Sequence, residues 1–417
     1  MSKYTVLYNK ITSTGVPRFF VANMLYSLST ALISFLAPSL LQSNVFEDFI
    51  YLFQMVLFLT GIFTLGLIPG LLRYYKFDNH KYDFYYYITA LVIIFFVLGV
   101  GFFPDNFISK ALKIVPDSIA ESLVIYSSVI FSLLFLFNRG KQIVILDYNA
   151  ILKDVVAIVL IRVAMLLLVH CMHLSDPYII LLLLCVAPFL HELLVFVVAI
   201  FKIHVSRLDK YWEFLGFIFK ISIAGVIFTA TSRLFIISTK SYDLSLAAAL
   251  SFAAGMTGII TIFNTTFSSV FIGRLDHRNA EGIVVYLHKI KKYLLPFLLL
   301  TLLLGSGVFL FVTLIYPDNT AQAAIISSLT VVHCAMMAYL GLITLMTKTY
   351  NLLNVQILLN GAGFLIIFLF VKYLSVSLNE YISYIIINSI LLIMEAVLAF
   401  LVLRHIRKYN SKMGERV

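Results

Sequence analysis

The sequence predicts an all-α integral membrane protein of about twelve transmembrane helices, and three observations carry that prediction. Hydrophobic residues make up 62% of the 417-residue chain and charged residues only 12%, against about 25% charged in a soluble domain. The apolar residues come in long blocks rather than short alternating stretches, and a bilayer admits only helices or closed barrels, because every backbone polar group needs an internal partner. Finally, Lys and Arg gather at every second connection between blocks, as the positive-inside rule requires of a multi-pass protein.

A span needs about 20 apolar residues. Blocks of that kind fall at 19–41, 49–71, 84–103, 118–137, 154–173, 177–201, 213–236, 244–272, 293–315, 321–346, 352–374 and 380–403. Most of the 30 Lys and Arg lie at one set of connections, among them Arg73, Lys76 and Lys81; Arg139, Lys141 and Lys153; Lys202, Arg207 and Lys210; and Arg404, Arg407 and Lys408. This bias places both termini in the cytoplasm. The net charge of +10 follows from that topology and is not a nucleic-acid footprint. Cys171, Cys185 and Cys334 lie in or beside spans without metal-ligand spacing, so free thiols are expected, with no metal and no cofactor. The first block is too long for a signal-peptide core and reads as a retained helix.

The outward loops are short, the longest being DNFISKALKIVPDS (105–118), which leaves no extramembrane domain for an active site. Asp48, Asp117, Asp176, Asp243 and Glu380 sit where helices begin and read as caps rather than catalytic groups. On the cytoplasmic side RNAEGIVVYLHKIKKY (278–293) puts Ile283, Leu287 and Ile290 on one face among lysines, which suits a surface helix joining two halves. GLIPG (66–70) has small-xxx-small spacing, read as close helix packing or as a hinge. Pro38, Pro188 and Pro296 mark candidate bends. The cluster YDFYYY (82–87) reads as an interfacial aromatic belt rather than a sugar-stacking platform.

Enzyme motifs are missing. His191-Glu192 begins a zinc-protease pattern, but position 195 is Val195 instead of the second histidine. No P-loop, dinucleotide fingerprint or G-x-S-x-G occurs, and the glycosylation acceptor at Asn264 lies inside a span. The chain divides instead into two six-helix lobes, 1–210 and 211–417, with Arg73 and Arg274 at corresponding span ends. Paired lobes around a central cavity are one way to build a transporter of alternating access.

What remains is an ionisable set inside the bilayer: Arg162, Glu192, Lys220, Arg233, His333 and Glu395. Charges at that depth are costly and usually face a cavity or a partner. At about 1.5 Å per residue, Arg162, Glu192, Lys220 and Glu395 share one level on the cytoplasmic side, His333 lies nearer the middle, and Arg233 is close to the outer end of its span. Arg162 and Glu192 read either as cavity lining or as a buried ion pair. Arg233 reads as an anion contact or as a snorkelling anchor, and His333 as a core residue or a proton-coupling group.

The stretch LISFLAPSLLQSNVFEDFIYLFQMVLFLTGIFTLGLIPGLLRYY (32–75), the segment FKISIAGVIFTATSRLFI (219–236) and the six-plus-six layout resemble the bacterial polysaccharide flippases of the Wzx type. These belong to the multidrug/oligosaccharidyl-lipid/polysaccharide exporter superfamily, whose fold is MATE-like. The resemblance implies a flippase that carries an oligosaccharide linked to a lipid diphosphate, of the undecaprenyl-diphosphate type, from the inner to the outer leaflet of a bacterial cytoplasmic membrane. Lipids and other polysaccharide-assembly membrane proteins are its implied partners, and O-antigen or capsule biosynthesis its implied pathway. Members often carry an acidic residue where this chain has Ser232.

The residues themselves suit an anionic cargo. Arg162, Lys220 and Arg233 are the substrate-binding candidates, since basic groups in an apolar lumen offset the desolvation of a diphosphate. Glu192, Glu395 and His333 are the candidates for ion coupling. A cation-coupled multidrug exporter of the same superfamily is the first alternative and is expected to favour a net acidic cavity. A membrane glycosyltransferase or polymerase is the second and is expected to carry a large outward loop. A facilitator-type porter is expected to carry a Gly- and Arg-rich signature after its second span, which RYYKFDNHKYD (73–83) does not resemble.

Overall fold

The computed structural model describes residues 3–64, 66–75, 78–114, 116–240, 244–256, 290–292, 294–315, 320–344, 346–349, 352–373 and 380–414. Every regular element among them is helical. The chain forms two compact units, Met1–Ser222 and Ile223–Val417. The first contains α1 (Lys3–Leu40), α2 (Ser43–Thr64), α3 (Leu67–Tyr74), α4 (Asn79–Gly101), α5 (Phe107–Ala111), α6 (Ile119–Val144), α7 (Tyr148–Cys171), α8 (Pro177–Cys185), a 3-10 turn (Ala187–Phe189) and α9 (Leu190–Phe201). Helix α10 (Tyr211–Thr239) crosses the boundary between units. The second unit continues with α11 (Leu244–Met256), α12 (Leu294–Ile315), α13 (Thr320–Thr344), α14 (Met346–Thr349), α15 (Leu353–Tyr373) and α16 (Glu380–Gly414).

Among the described residues nine helical stretches are long and apolar enough to cross a membrane: Val45–Tyr74, His80–Gly101, Ile119–Val144, Pro177–Phe201, Tyr211–Thr239, Leu294–Leu314, Ala324–Thr344, Leu353–Tyr373 and Ile382–Lys408. The expected spans at 19–41 and 154–173 lie in α1 and α7, and the span at 244–272 starts in α11 and continues outside the described residues. The fold is thus the multi-helical membrane architecture that the hydrophobic blocks predict. Large side chains such as Phe95, Leu160, Leu194 and Leu303 stand exposed, a surface that belongs against lipid rather than water.

Two spans are interrupted, each for a local reason. Gly66, at φ +87°, separates α2 from α3, a conformation that only glycine adopts without steric cost. A Cβ on Gly66 would lie 2.4 Å from the Ile218 carbonyl oxygen, and one on Gly70 would lie 2.7 Å from Ile218 Cγ1. GLIPG therefore lets α10 approach α2 and α3 closely, the packing reading of that motif. Pro188, which has no N–H to give, interrupts the sixth span with the 3-10 turn between α8 and α9. Pro38 lies within the continuous α1, and Pro296 within the first turn of α12, so neither divides a helix.

The caps are only partly the expected ones. Asp176 accepts from the Tyr178 and Ile179 amides at 2.8 and 3.3 Å, as a cap followed by proline should. At α6 the cap is Ser118, which accepts from the Glu121 amide, while Glu121 accepts from the Asp117 amide at 2.7 Å. Asp117 stands just before this reciprocal arrangement. Asp48 lies inside α2, Glu380 is the first residue of α16, and Asp243 is outside the described residues. Of the expected surface helix only 290–292 is described: Ile290 is buried with Leu342, Met346, Val402 and Ile406, while Lys291 and Lys292 are exposed.

YDFYYY corrects an expectation. Tyr82, Tyr85, Tyr86 and Tyr87 are buried, not turned outward as a belt. The Tyr85 hydroxyl donates to the Arg207 carbonyl at 2.6 Å and the Tyr86 hydroxyl to the Phe137 carbonyl at 2.8 Å. A buried tyrosine is tolerated where its hydroxyl finds such an acceptor. The three cysteines, all described, form no disulfide.

Candidate functional site

In the N-terminal unit the site is built where α1, α6, α7 and the 3-10 turn meet. Val155, Ile158, Arg162, Leu166 and Val169 form the buried face of α7 at helical spacing, so the pattern that packs the helix also carries the guanidinium inside. Arg162 is 2% exposed. Its Nη1 donates to Ser29 Oγ at 2.8 Å and Thr30 Oγ1 at 3.0 Å. Those hydroxyls in turn donate to the Tyr26 carbonyl one turn back along α1, at 2.7 and 3.1 Å. The guanidinium carbon lies 5.2 Å from the Tyr26 ring centre and 5.1 Å from that of Phe189, close enough for cation–π attraction. Among the described residues its buried Nε has no hydrogen-bond partner.

The ion pair between Arg162 and Glu192, one of the two readings of the sequence, does not form. Among the described residues no carboxylate pairs with Arg162. Glu192, 1% exposed in the first turn of α9, is held instead by a neutral group. Asn138 Nδ2 donates to its Oε2 at 2.7 Å and to its main-chain carbonyl at 2.9 Å. His191 Nε2 lies 3.2 Å from Oε1, but neither atom makes a hydrogen bond among the described residues.

Lys220 on α10 is exposed and joins neither group. In the C-terminal unit, Arg233 is half-buried near the end of α10. Tyr384 is hydrogen-bonded to Thr330 and its ring lies 6.0 Å from that of Phe235. His333, on α13, is half-buried. Glu395, 8% exposed on α16, accepts from Thr344 Oγ1 at 2.5 Å. Among the described residues neither glutamate has a Lys or Arg partner.

The sequence reading missed Arg139. Placed at a cytoplasmic connection by the charge pattern, it lies inside α6, half-buried. Its guanidinium carbon stands 5.7 Å from the ring centres of Phe19 and Tyr26 and 5.6 Å from that of Phe135. The available signal was the polar run Asn138-Arg139-Gly140-Lys141-Gln142 ending an otherwise apolar helix. Its members turn toward Glu192, Tyr26, Asp83 and Asp154 on four other helices.

No family model matches the chain, and no curated protein matches its sequence. Solved structures do match. A MOP superfamily transporter from Pyrococcus furiosus, whose binding pocket is described as having reverse polarity, aligns with TM-score 0.63 at 14% identity over 95% of this chain and 96% of that one. The eukaryotic MATE transporter AtDTX14 aligns with TM-score 0.66 at 11% identity, over 98% and 99%. A MATE in the straight conformation aligns with TM-score 0.66 at 13% identity, over 95% and 96%. These likenesses show a MATE-type transporter fold along nearly the whole chain.

Proposed function

We propose that this protein is a flippase that moves a polyprenyl-diphosphate-linked oligosaccharide from the inner to the outer leaflet of a bacterial cytoplasmic membrane, for assembly of a surface polysaccharide. The observation that carries the reading is the state of Arg162: a buried guanidinium held by neutral hydroxyls and ring faces, with no carboxylate partner among the described residues. A guanidinium stays charged and offers a planar fork suited to phosphate oxygens. Burying it without an anion is costly, which an anionic head group would offset on arrival.

In this reading the helices around Arg162 separate to admit the diphosphate, while the prenyl tail stays in lipid. Lys220 and Arg233, both on α10, are the other basic candidates for contact with the cargo. A negative-inside potential favours outward movement of an anion by about 2.3 kcal/mol per charge per 100 mV, so coupling to a second ion is not required. Deleting the gene tests the reading. Lipid-linked repeat units should accumulate on the inner leaflet, and unchanged surface glycan would refute it.

A second reading, a cation-coupled multidrug exporter, is favoured by Glu192 and Glu395, two buried carboxylates without a basic partner among the described residues. Dye efflux that depends on a proton or sodium gradient, lost in the deletion strain with glycan display intact, would select it.

A further inference from the structure

We infer that the strap between α9 and α10, residues 201–212, is a binding surface for anionic phospholipid in the headgroup layer of the membrane. The inference goes beyond the flippase reading and does not depend on the cargo. FKIHVSRLDKYW joins the end of one apolar span, Pro177–Phe201, to the start of the next, Tyr211–Thr239, so both ends of the strap stand at one boundary of the bilayer. Phe201, Val205, Leu208 and Trp212 are 85%, 86%, 53% and 78% exposed. Interleaved with them are Lys202, Arg207 and Lys210, all exposed and, among the described residues, without a carboxylate partner.

The strap is held in place rather than loose. The Tyr85 hydroxyl donates to the Arg207 carbonyl at 2.6 Å and accepts from the Lys210 amide at 3.3 Å, while Lys81 is paired with Asp209. The hydroxyls of Tyr211 and Thr89 share a hydrogen bond of 3.3 Å. These contacts tie the segment to α4, whose own span, His80–Gly101, begins beside it. They also engage Asp209, the strap's one carboxylate, and leave its three cations exposed. Water is a poor partner for four large apolar side chains on so short a segment, and hydrocarbon is a poor partner for three cations. The headgroup layer satisfies both: apolar and indole side chains enter the top of the acyl region while Lys and Arg meet lipid phosphates. Cations without counter-charges of their own favour anionic over zwitterionic lipid. The side concerned is the Lys- and Arg-rich one, which the charge bias assigns to the cytoplasm.

Trp212 is the chain's one tryptophan, so intrinsic fluorescence reports on the strap. The full-length protein is reconstituted into vesicles of an equal mixture of phosphatidylcholine and phosphatidylglycerol, with bromine on the acyl chains of one lipid or of the other. Brominated phosphatidylglycerol should quench Trp212 more than brominated phosphatidylcholine, by about twofold or more, given the attraction of each cation for an anionic surface. Lys202→Gln/Arg207→Gln/Lys210→Gln should bring the two to equality with the emission still blue-shifted, and high salt should do the same to the wild type. Each single substitution should remove part of the difference, so the outcome does not hang on the triple variant. Lys110→Gln, at an exposed position in the loop 105–118, should keep it in full. Equal quenching by the two lipids in the wild type overturns the anionic preference, and a difference that survives the triple substitution overturns the assigned cations. Water-exposed emission that neither lipid quenches overturns the surface altogether and gives the strap to a soluble partner. Emission that shifts with protein density and ignores bromine gives it instead to a second copy of the chain.

Discussion

Asn138 gives one amide nitrogen to two acceptors of Glu192, the carboxylate Oε2 at 2.7 Å and the main-chain carbonyl at 2.9 Å. One neutral side chain thereby joins α6 to the start of α9 and holds a buried carboxylate that has no Lys or Arg partner among the described residues. Removing a donor from a buried acceptor costs about 1–3 kcal/mol, so Asn138→Ala should lower the thermal midpoint accordingly. Glu192→Gln should hold or raise it, because it removes a buried charge and brings an N–H near the unsatisfied Asn138 Oδ1. A double-mutant cycle on purified protein checks this, and an equal cost of Asn138→Ala in both backgrounds would refute the coupling. If Glu192 carries a coupling ion, Glu192→Gln should also remove ion dependence of transport while cargo binding persists.

Arg162 should separate stability from function. Ser29 and Thr30 keep their bonds to the Tyr26 carbonyl whether or not the guanidinium is present, so Arg162→Met should fold with an unchanged or higher thermal midpoint, as replacement of buried ionic groups by apolar ones often does. Glycan export per molecule should fall at least tenfold. Arg162→Lys should recover only part, since lysine keeps the charge and loses the fork. A destabilised variant exporting normally would mark Arg162 as structural.

The sequence made the helices legible because hydrophobic length is a direct requirement of the bilayer. One break was legible too, at Pro188, but Pro38 and Pro296 offer the same signal and divide no helix, and GLIPG reads as packing or a hinge rather than as the break that Gly66 makes. Partnerships were not. The level argument grouped Arg162 with Glu192 and Lys220, yet rotation about each helix decides what a side chain meets, and it turns Glu192 toward Asn138 and leaves Lys220 exposed. Arg139 was hidden for the same reason: a basic residue near a helix end fits the charge bias equally well whether it faces lipid phosphates or an aromatic interior.

Arg233 gives the cleanest contrast between a site and an anchor. Half-buried near the end of α10, it has no carboxylate partner among the described residues. Arg233→Ala should reduce export per molecule at least tenfold, and Arg233→Lys should keep part of it. A snorkelling anchor would instead change membrane protein level in both variants with export per molecule unaltered. Surface glycan measured against protein level decides.

Outside the spans, the carboxyl of Asp209 is held below the usual carboxylate range by the hydrogen bond from Lys81. A depressed folded value stabilises the fold above the unfolded value of about 3.9, and the contribution disappears as pH falls from there through the folded value. The tether between α4 and the segment before α10 should therefore be intact at neutral pH and weaken only below about pH 4. Asp209→Asn should flatten this acid limb of the stability profile and leave neutral behaviour alone. Because the pair is at the surface, high salt should have a similar effect, and an unchanged acid limb in Asp209→Asn would exclude the pair as its source.

Gly66 and Gly70 rank differently, and the ranking tests whether GLIPG is a packing device or a hinge. At Gly66 an added methyl meets a backbone atom, the Ile218 carbonyl oxygen at 2.4 Å, and the backbone is also at φ +87°. Neither helix relieves that contact without moving, and the dihedral alone costs about 1–2 kcal/mol. At Gly70 the methyl meets Ile218 Cγ1 at 2.7 Å and Cδ1 at 3.2 Å, atoms of a side chain that has other rotamers. Gly66→Ala should therefore destabilise by about 3 kcal/mol or more and Gly70→Ala by about half that, both read as lowered thermal midpoints with little change in turnover per folded molecule. A hinge would give the opposite pattern, with thermal midpoints near wild type and slower transport in both variants. Equal midpoints for Gly66→Ala and wild type would remove the close approach of α10 to α2 and α3 as the reason for glycine there.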